Sequence, residues 1–548
     1  MTVIGSDLVA RALKQQGVRD FFFIMGGPML DVESACLAQG LRGIDVRHEQ
    51  AGAMAAHAYA RLLNRPGVCM GASGPGMTNL ITGVAHAWAD RTPVLALGGA
   101  SPNATRGRGV FQEIDQLAMM APCTKWADRV LDPHRIPELI NRAVREAMGG
   151  QVGPVYLDLP GDVLYQEVDE AQVIWPEPWD PEKRSRPAGD PAQIKAAVDL
   201  LAAAKSPVIL SGGGILWSEA EAALTAFVDA TGVPFYTTPQ SRGVIPEDHE
   251  YCYLTARGTA FREADLILVV GTRLNYVVGH GEPPRFNAEA KLVRIDIEPA
   301  ELAGGGRADI GITGDARMVL EQLTDAARGR LTPESFAAWR ERLRGRNDSR
   351  AAENEARLDS AEVPIHPLRL CREVRDFMDR DGVLVVDGQE ILNYGRQSIP
   401  TFTARHRINS GVFGTMGVGL PCGLGAKVAK PEAQVVVLHG DGSFGLNAME
   451  VDTCVRHGLP VLVVLSNNGG WTADPDGTKP GRDLGYTRYD KLAEALGGHG
   501  EHVTEPDGIR PALERAWEKV QAGTPALVNV ETDGKARATT ADFTRYVT

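Results

Sequence analysis

The sequence predicts an α/β chain of three domains, each a mostly parallel sheet flanked by helices. Short continuous runs of β-branched and other apolar residues alternate with amphipathic stretches along the whole chain. Runs of that kind are strands buried on both faces, which is how parallel sheets sit between helices. The length of 548 residues corresponds to about three domains at roughly 100–200 residues each. Two stretches without apolar periodicity divide the chain near 1–170, 190–330 and 365–548.

In the first segment, Phe21-Phe22-Phe23-Ile24, Gly67-Val68-Cys69-Met70 and Val94-Leu95-Ala96-Leu97 read as strands. Arg47-His48-Glu49-Gln50 precedes an Ala-rich helix over Met54–Leu63. Ile174 through Pro191 is Pro-rich and charged, and reads as a linker. The second segment supplies strands at Pro207–Leu210, Leu266–Val270 and Leu292–Ile297. Arg346 to Pro367, charged and Ala-rich before Pro364-Ile365-His366-Pro367, reads as a second linker. In the third segment Val383–Val386, Val435–Leu438 and Val461–Leu465 are strands. Leu446, Met449, Glu450, Thr453, Cys454 and His457 have helical spacing and predict one helix over Phe444–His457. Glycines follow two strands, in Ser211-Gly212-Gly213-Gly214 and Gly440-Asp441-Gly442-Ser443. Ligands bind beyond the carboxyl ends of parallel strands, and Gly lets the backbone approach a phosphate there. Tight turns use the same clusters.

Composition narrows the function. The hydrophobic fraction of 43% and charged fraction of 23% are those of a globular chain, not a fibrous or largely disordered one. Basic residues number 57 against 70 acidic, a net −13, which argues against nonspecific nucleic-acid binding. No apolar run reaches the roughly 18–20 residues of a membrane helix. The opening Met1-Thr2-Val3-Ile4 has no basic n-region or apolar h-region, so no signal peptide is expected. Seven scattered cysteines without a C-x-x-C pair fit small buried thiols in a reduced, cytoplasmic chain.

The sharpest constellation is Gly440-Asp441-Gly442-Ser443 followed by Ser466-Asn467-Asn468-Gly469-Gly470. Asp441 ends one strand, Asn468 follows the next, and a helical stretch separates them. A strand–helix–strand crossover sets two strand ends side by side, so both side chains can face one ion. A carboxylate, an amide oxygen and a backbone carbonyl suit Mg²⁺ or Ca²⁺, with a ligand's phosphates completing the shell. Each half alone is also an ordinary turn sequence.

At this spacing the two motifs resemble those of the thiamine-diphosphate-dependent enzymes. The resemblance implies that Asp441, Asn468 and the Gly470 carbonyl hold Mg²⁺ on the cofactor's diphosphate. Gly440, Gly442, Ser443 and Trp471 would lie against the cofactor. Gly414-Thr415-Met416-Gly417 also matches the family. Gly414 would offer its carbonyl to the aminopyrimidine and Met416 would be the apolar wedge beneath it; taken alone, Met416 reads as a core residue. Glu49, otherwise a helix-dipole partner worth under about 1 kcal/mol, would bond the aminopyrimidine and drive proton removal, a role suited to a partly buried carboxyl. Ser73-Gly74-Pro75-Gly76 and Asn79 match the family's pyrimidine-binding pattern. In the family Glu49 and the diphosphate site come from different subunits, so a homodimer is the minimum assembly and a tetramer the usual one.

Gly271-Thr272-Arg273-Leu274-Asn275-Tyr276 and Arg294-Ile295-Asp296-Ile297-Glu298-Pro299 look like the branch acting on acyl-CoA thioesters, which contains 2-hydroxyacyl-CoA lyases and oxalyl-CoA decarboxylases. Arg273, Asp296 and Ile297 would then border a CoA or ADP site in the central domain, with Arg396 and Gln397 as further CoA contacts. Taken alone, a loop arginine such as Arg396 is usually just solvated. Phe111-Gln112-Glu113 is closer to the lyases than the Tyr-Glu-Glu of the decarboxylases, although acetohydroxyacid synthases share it. Phe111 and Gln112 are therefore expected at the substrate; a loop or capping role is the alternative for Gln112. Where the better-known members of the branch carry Glu-Gly-Ala-Asn, this chain has Asp387-Gly388-Gln389-Glu390. Gln389 and Glu390 should sit near the diphosphate or the substrate. Ala536-Arg537-Ala538-Thr539-Thr540 is either a lid over the site or a plain tail.

The expected activity is cleavage of the C1–C2 bond of a 2-hydroxyacyl-CoA to formyl-CoA and an aldehyde or ketone, together with the reverse condensation. The alternatives are oxalyl-CoA decarboxylase, a synthase-like carboligase with FAD in the central domain, and a catalytically inert homologue.

Overall fold

The computed structural model describes residues 2–304, 307–471, 478 and 480–538. The chain packs as two compact units. The first comprises residues up to Ala351 with Thr401–Arg407 and Gly411–Phe413; the second comprises Ala352–Pro400, Ile408–Ser410 and Gly414 onward.

The first unit holds two sheets. One has six strands in the order Arg42–Asp45, Asp20–Phe23, Gly67–Gly71, Val94–Ala100, Val155–Pro160, Trp126–Arg129, all paired parallel. The other has five parallel strands in the order Phe235–Thr237, Pro207–Ser211, Leu266–Val270, Lys291–Asp296, Ile310–Thr313. Thr2–Ile4 and Glu167–Asp169 form a separate antiparallel ribbon. The second unit carries a sheet with the parallel strand order Val383–Asp387, Val435–Gly440, Leu462–Asn467, Ala526–Glu531, His499–Val503. Each sheet has its own buried apolar core, as strands covered on both faces require.

Small residues set how closely the elements approach. The helix Glu49–Leu63 is buried along nearly its whole length. It packs against the helix Pro75–Ala89, where a Cβ on Gly83 would lie 2.5 Å from the Ala53 Cβ. The Ala-rich composition of this pair is thus a close-packing requirement as well as a helix preference.

Three expectations are corrected, and one choice left open by the sequence is narrowed. Residues 346–358 are not linker but the second half of the helix Ala337–Leu358; their Ala, Arg and Glu content favours helix even without an apolar stripe. Phe444–His457 is not one helix but two, Asp441–Leu446 and Glu450–Arg456. The break falls at Asn447, whose side-chain amide donates to the Gly417 carbonyl at 2.7 Å; Leu446 and Met449, read as helix-face residues, are exposed. In Ser211-Gly212-Gly213-Gly214 the glycines serve loop packing: a Cβ on Gly212 would lie 2.1 Å from the Thr272 Cβ, and one on Gly214 2.7 Å from the Gly271 Cα. Met416 is half-buried rather than core.

The cysteines form no disulfide; six are buried and Cys252 is half-buried. Among the described residues no helix is long and apolar enough to cross a membrane.

Candidate active site

The candidate residues form two clusters, one in each unit. In the second unit the strands Val435–Gly440 and Leu462–Asn467 are parallel neighbours, with Gly440 opposite Ser466. Their ends therefore bring Asp441 and Asn468 together. One terminal atom of the Asn468 amide lies 2.9 Å from Asp441 Oδ1 and 2.8 Å from the Gly470 carbonyl oxygen. With nitrogen in that place the amide donates to both; with oxygen there, three oxygens converge as a cation requires. Asp441 is 2% exposed, and its Oδ2 has no hydrogen-bond partner. Burial raises its carboxyl to about 7, against the lowering effect of the Gly442 and Gly470 N–H groups. A buried carboxylate oxygen without a partner, beside two more oxygens, is a set that fits a hard divalent cation.

Around this point lies an open cleft lined by Gln389, Glu390, Met416, Gly440, Asp441, Gly442, Ser443, Asn468, Gly470 and Trp471 among others. The Trp471 indole lies over Gly442, where a Cβ would approach the ring to 2.7 Å. The Ser443 hydroxyl donates to the Gly440 carbonyl at 3.1 Å and lies 2.9 Å from His439 Nδ1. Backbone N–H groups of the first helical turn are then the donors suited to a diphosphate. His439 is held neutral, its pKa lowered to about 3 by burial. Gly414 is exposed at φ 67° in the turn before Met416. Glu390 Oε2 accepts the Ala538 N–H at 3.0 Å, and Ala536 also lines the cleft. The tail thus runs along the cleft as far as Ala538; Thr539 and Thr540 lie outside the described residues. Arg396 is half-buried and Gln397 exposed near the end of the helix Glu390–Ser398. Neither lines the cleft.

Asp387 was not singled out by the sequence. It ends its strand fully buried, and accepts the Gly388 N–H at 2.7 Å and the Gly419 N–H at 2.9 Å. It fastens the turn carrying Met416 to the sheet, and burial raises its carboxyl to about 6. Its position at a strand end before glycine was the available signal.

In the first unit Glu49 opens its helix, with His48 Nδ1 capping the Gln50 N–H. Glu49 is 9% exposed, and Asn79 Nδ2 donates to its Oε2 at 2.9 Å. The Ser73 hydroxyl donates to Gln112 Oε1 at 2.8 Å. Gln112 has φ 59°, a left-handed conformation uncommon outside glycine. Phe111 beside it is 87% exposed. Glu113 accepts N–H groups of Gly107, Gly109 and Val110 and is committed to shaping that loop. Beneath it the buried Gln116 accepts the Gly74 N–H at 2.7 Å and donates to the Gly99 carbonyl, the Tyr156 hydroxyl and Asp158. Asp158 in turn pairs with Arg129 at 2.9 Å. Sequence reading passed over Gln116, because its partners come from distant strands.

The central sheet's strand ends carry the remaining candidates. Asp296 is buried and accepts the Glu298 N–H at 3.0 Å; Ile297 is half-buried. Burial raises the Asp296 carboxyl to about 6. Arg273 donates to the Ala89 carbonyl at the end of the helix Pro75–Ala89.

Three parallel α/β sheets with a diphosphate-type cleft and an acidic helix start are the parts of a thiamine-diphosphate enzyme. The family description "Thiamine pyrophosphate enzyme, N-terminal TPP binding domain" matches residues 3–119, its central domain 194–323 and its C-terminal TPP binding domain 393–530. The chain belongs to the thiamine pyrophosphate enzyme family. It is 35% identical to a 2-hydroxyacyl-CoA lyase of Oryza sativa subsp. japonica, over 98% of this chain and 97% of that one. It is 34% identical to an acetolactate synthase large subunit of Mycobacterium tuberculosis (97% and 96%). It is 31% identical to the oxalyl-CoA decarboxylase of Escherichia coli (99% and 97%).

Proposed function

We propose that the chain is a 2-hydroxyacyl-CoA lyase, cleaving the C1–C2 bond to formyl-CoA and an aldehyde or ketone and running the reverse condensation. The observation that carries this reading within the family is the Gln112–Glu113 pair. Gln112 is a neutral amide tied to Ser73, while the neighbouring carboxylate is turned into its own loop. A neutral donor can hold the substrate's hydroxyl or carbonyl oxygen without setting an anion beside developing negative charge. Thiamine diphosphate, when bound, supplies the nucleophilic carbon and electron sink for breaking a bond next to a carbonyl.

The chain's own residues do the rest. Asp441, Asn468 and the Gly470 carbonyl would hold Mg²⁺, and the Gly440–Ser443 backbone the diphosphate. Asp387 positions Met416, and Trp471 covers the diphosphate end from water. Glu49, oriented by Asn79, holds and releases a proton at its carboxylate. In the cleavage the hydroxyl proton leaves the substrate and a proton ends on the formyl carbon; Gln112 and Glu390 are assigned to its handling. Arg396, Gln397, Arg273, Asp296 and Ile297 are assigned to CoA. The two half-sites are proposed to meet between two copies of the chain, Glu49 from one and the cleft from the other.

Oxalyl-CoA tests the reading. Holoenzyme that cleaves 2-hydroxyacyl-CoA and releases little CO₂ from oxalyl-CoA supports it. Rapid CO₂ release with no 2-hydroxyacyl-CoA cleavage replaces it with the decarboxylase. The 34% identity to an acetolactate synthase and the shared Phe111-Gln112-Glu113 favour a second reading, a synthase-like carboligase, which pyruvate consumption with a bound flavin's yellow absorbance would establish.

A further inference from the structure

Behind Glu49, the helices Glu49–Leu63 and Pro75–Ala89 bury a second polar cluster that the proposed reaction does not use. His57, His86 and Asp90 have side chains 1%, 0% and 1% exposed. His57 Nε2 lies 3.6 Å and His86 Nε2 4.0 Å from Asp90 Oδ2, beyond hydrogen-bond reach. The three ligand atoms fall within 4.8 Å of one another. All four imidazole nitrogens are buried without a hydrogen-bond partner. Most buried polar atoms in native interiors have a partner, and here two that lack one, the Nε2 atoms of His57 and His86, converge on one carboxylate oxygen.

The carboxylate is itself prepared. Gln240 Nε2 donates to Asp90 Oδ2 at 2.7 Å and the Val412 N–H to Oδ1 at 3.1 Å. Arg61, which only donates, bonds Gln240 Oε1 at 2.8 Å and so fixes which end of that amide faces Asp90. Such outer partners are what orient the ligands of a metal site.

We propose that His57, His86 and Asp90 bind a structural Zn²⁺ ion, distinct from the Mg²⁺ assigned to Asp441. Two imidazoles and one carboxylate are a zinc donor set, with water as the fourth ligand. Tetrahedral bonds of about 2.0–2.1 Å place ligand atoms about 3.4 Å apart, so the cluster closes by small side-chain shifts. The ion would clamp the two helices that carry Glu49 and Asn79. Asn79 and His86 are seven residues apart, on one face of their helix, so the clamp sits two turns below the Asn79–Glu49 hydrogen bond. The three residues are positioning residues for Glu49.

The test is metal titration of the purified full-length protein after chelation, with excess Mg²⁺ present to occupy the Asp441 site. Co²⁺ is expected to bind at one equivalent per chain, giving the visible bands of four-coordinate Co²⁺, and Zn²⁺ to displace it. His57→Asn and His86→Asn should lose these bands, and Asp441→Asn should keep them. Chelation should lower Tm by several degrees, with recovery on Zn²⁺ addition. Where a histidine variant does not fold, the wild-type bands and X-ray absorption at the bound zinc decide, with two imidazoles expected in the shell. Less than a tenth of an equivalent bound, or bands that vanish in Asp441→Asn and persist in His86→Asn, would overturn the proposal and leave a water-filled polar cavity.

Discussion

Removing the charge of Asp441 should stabilise the metal-free protein while abolishing metal-dependent cofactor binding. The carboxyl is raised from 3.8 to about 7 by burial, and its Oδ2 has no partner. The folded protein therefore holds this proton more tightly than the unfolded chain does. The group's contribution is fully present below pH 3.8 and is lost as pH rises through about 7. At about 1.4 kcal/mol per pH unit, the full interval amounts to about 4 kcal/mol of destabilisation by about pH 8. Asp441→Asn has the same size and no charge. In chelator it should raise stability by up to about 4 kcal/mol at about pH 8 and by little near pH 4. Denaturant midpoints across that range, followed by circular dichroism, measure the difference; calorimetry with thiamine diphosphate and Mg²⁺ should show binding lost. A variant no more stable than wild type at high pH refutes an uncompensated buried charge at Asp441, and one that binds the cofactor normally refutes the placement of a cation at this carboxylate.

Glu49→Gln should retain its circular dichroism spectrum and lose about 10²–10⁴ of turnover, the usual contribution of a positioned acid–base group; near-normal kcat removes the proton role. An equal mixture of Glu49→Gln and Asp441→Asn proteins, dissociated and reassociated, should recover about a quarter of wild-type activity if the half-sites meet between two copies; no recovery places both halves in one chain. Gln116→Leu should cost about 1–3 kcal/mol, because it leaves the Gly74 N–H without a partner and removes one of the donors to Asp158; a thermal-unfolding shift near zero would show that the network is not structural. Gly442→Ala should weaken thiamine diphosphate binding by displacing Trp471, which a titration of intrinsic tryptophan fluorescence reads directly; unchanged affinity would remove Trp471 from the cofactor's surroundings.

The strands were legible because β-branched runs such as Val435-Val436-Val437 have few alternatives. The pairing of Asp441 with Asn468 was legible too, because adjacent parallel strands fix where a crossover returns. What escaped depends on contacts distant in sequence. The break at Asn447 is made by its bond to Gly417, and periodicity within Phe444–His457 carries no trace of it. The helix through Arg346–Leu358 was missed because a solvated helix has no apolar stripe to read. Gln116 and Asp387 act on backbone groups far along the chain. His86 and Asp90 stand one helical turn apart in the sequence, but only the packing of two helices adds His57.

The cleavage itself is measured by mass spectrometry of products from a panel of 2-hydroxyacyl-CoA thioesters incubated with the enzyme, thiamine diphosphate and Mg²⁺. Formyl-CoA is expected in equal amount to the released aldehyde or ketone, and formed at least about a hundredfold more slowly by Glu49→Gln. Intact thioesters throughout the panel, from protein that binds the cofactor, would contradict the lyase reading.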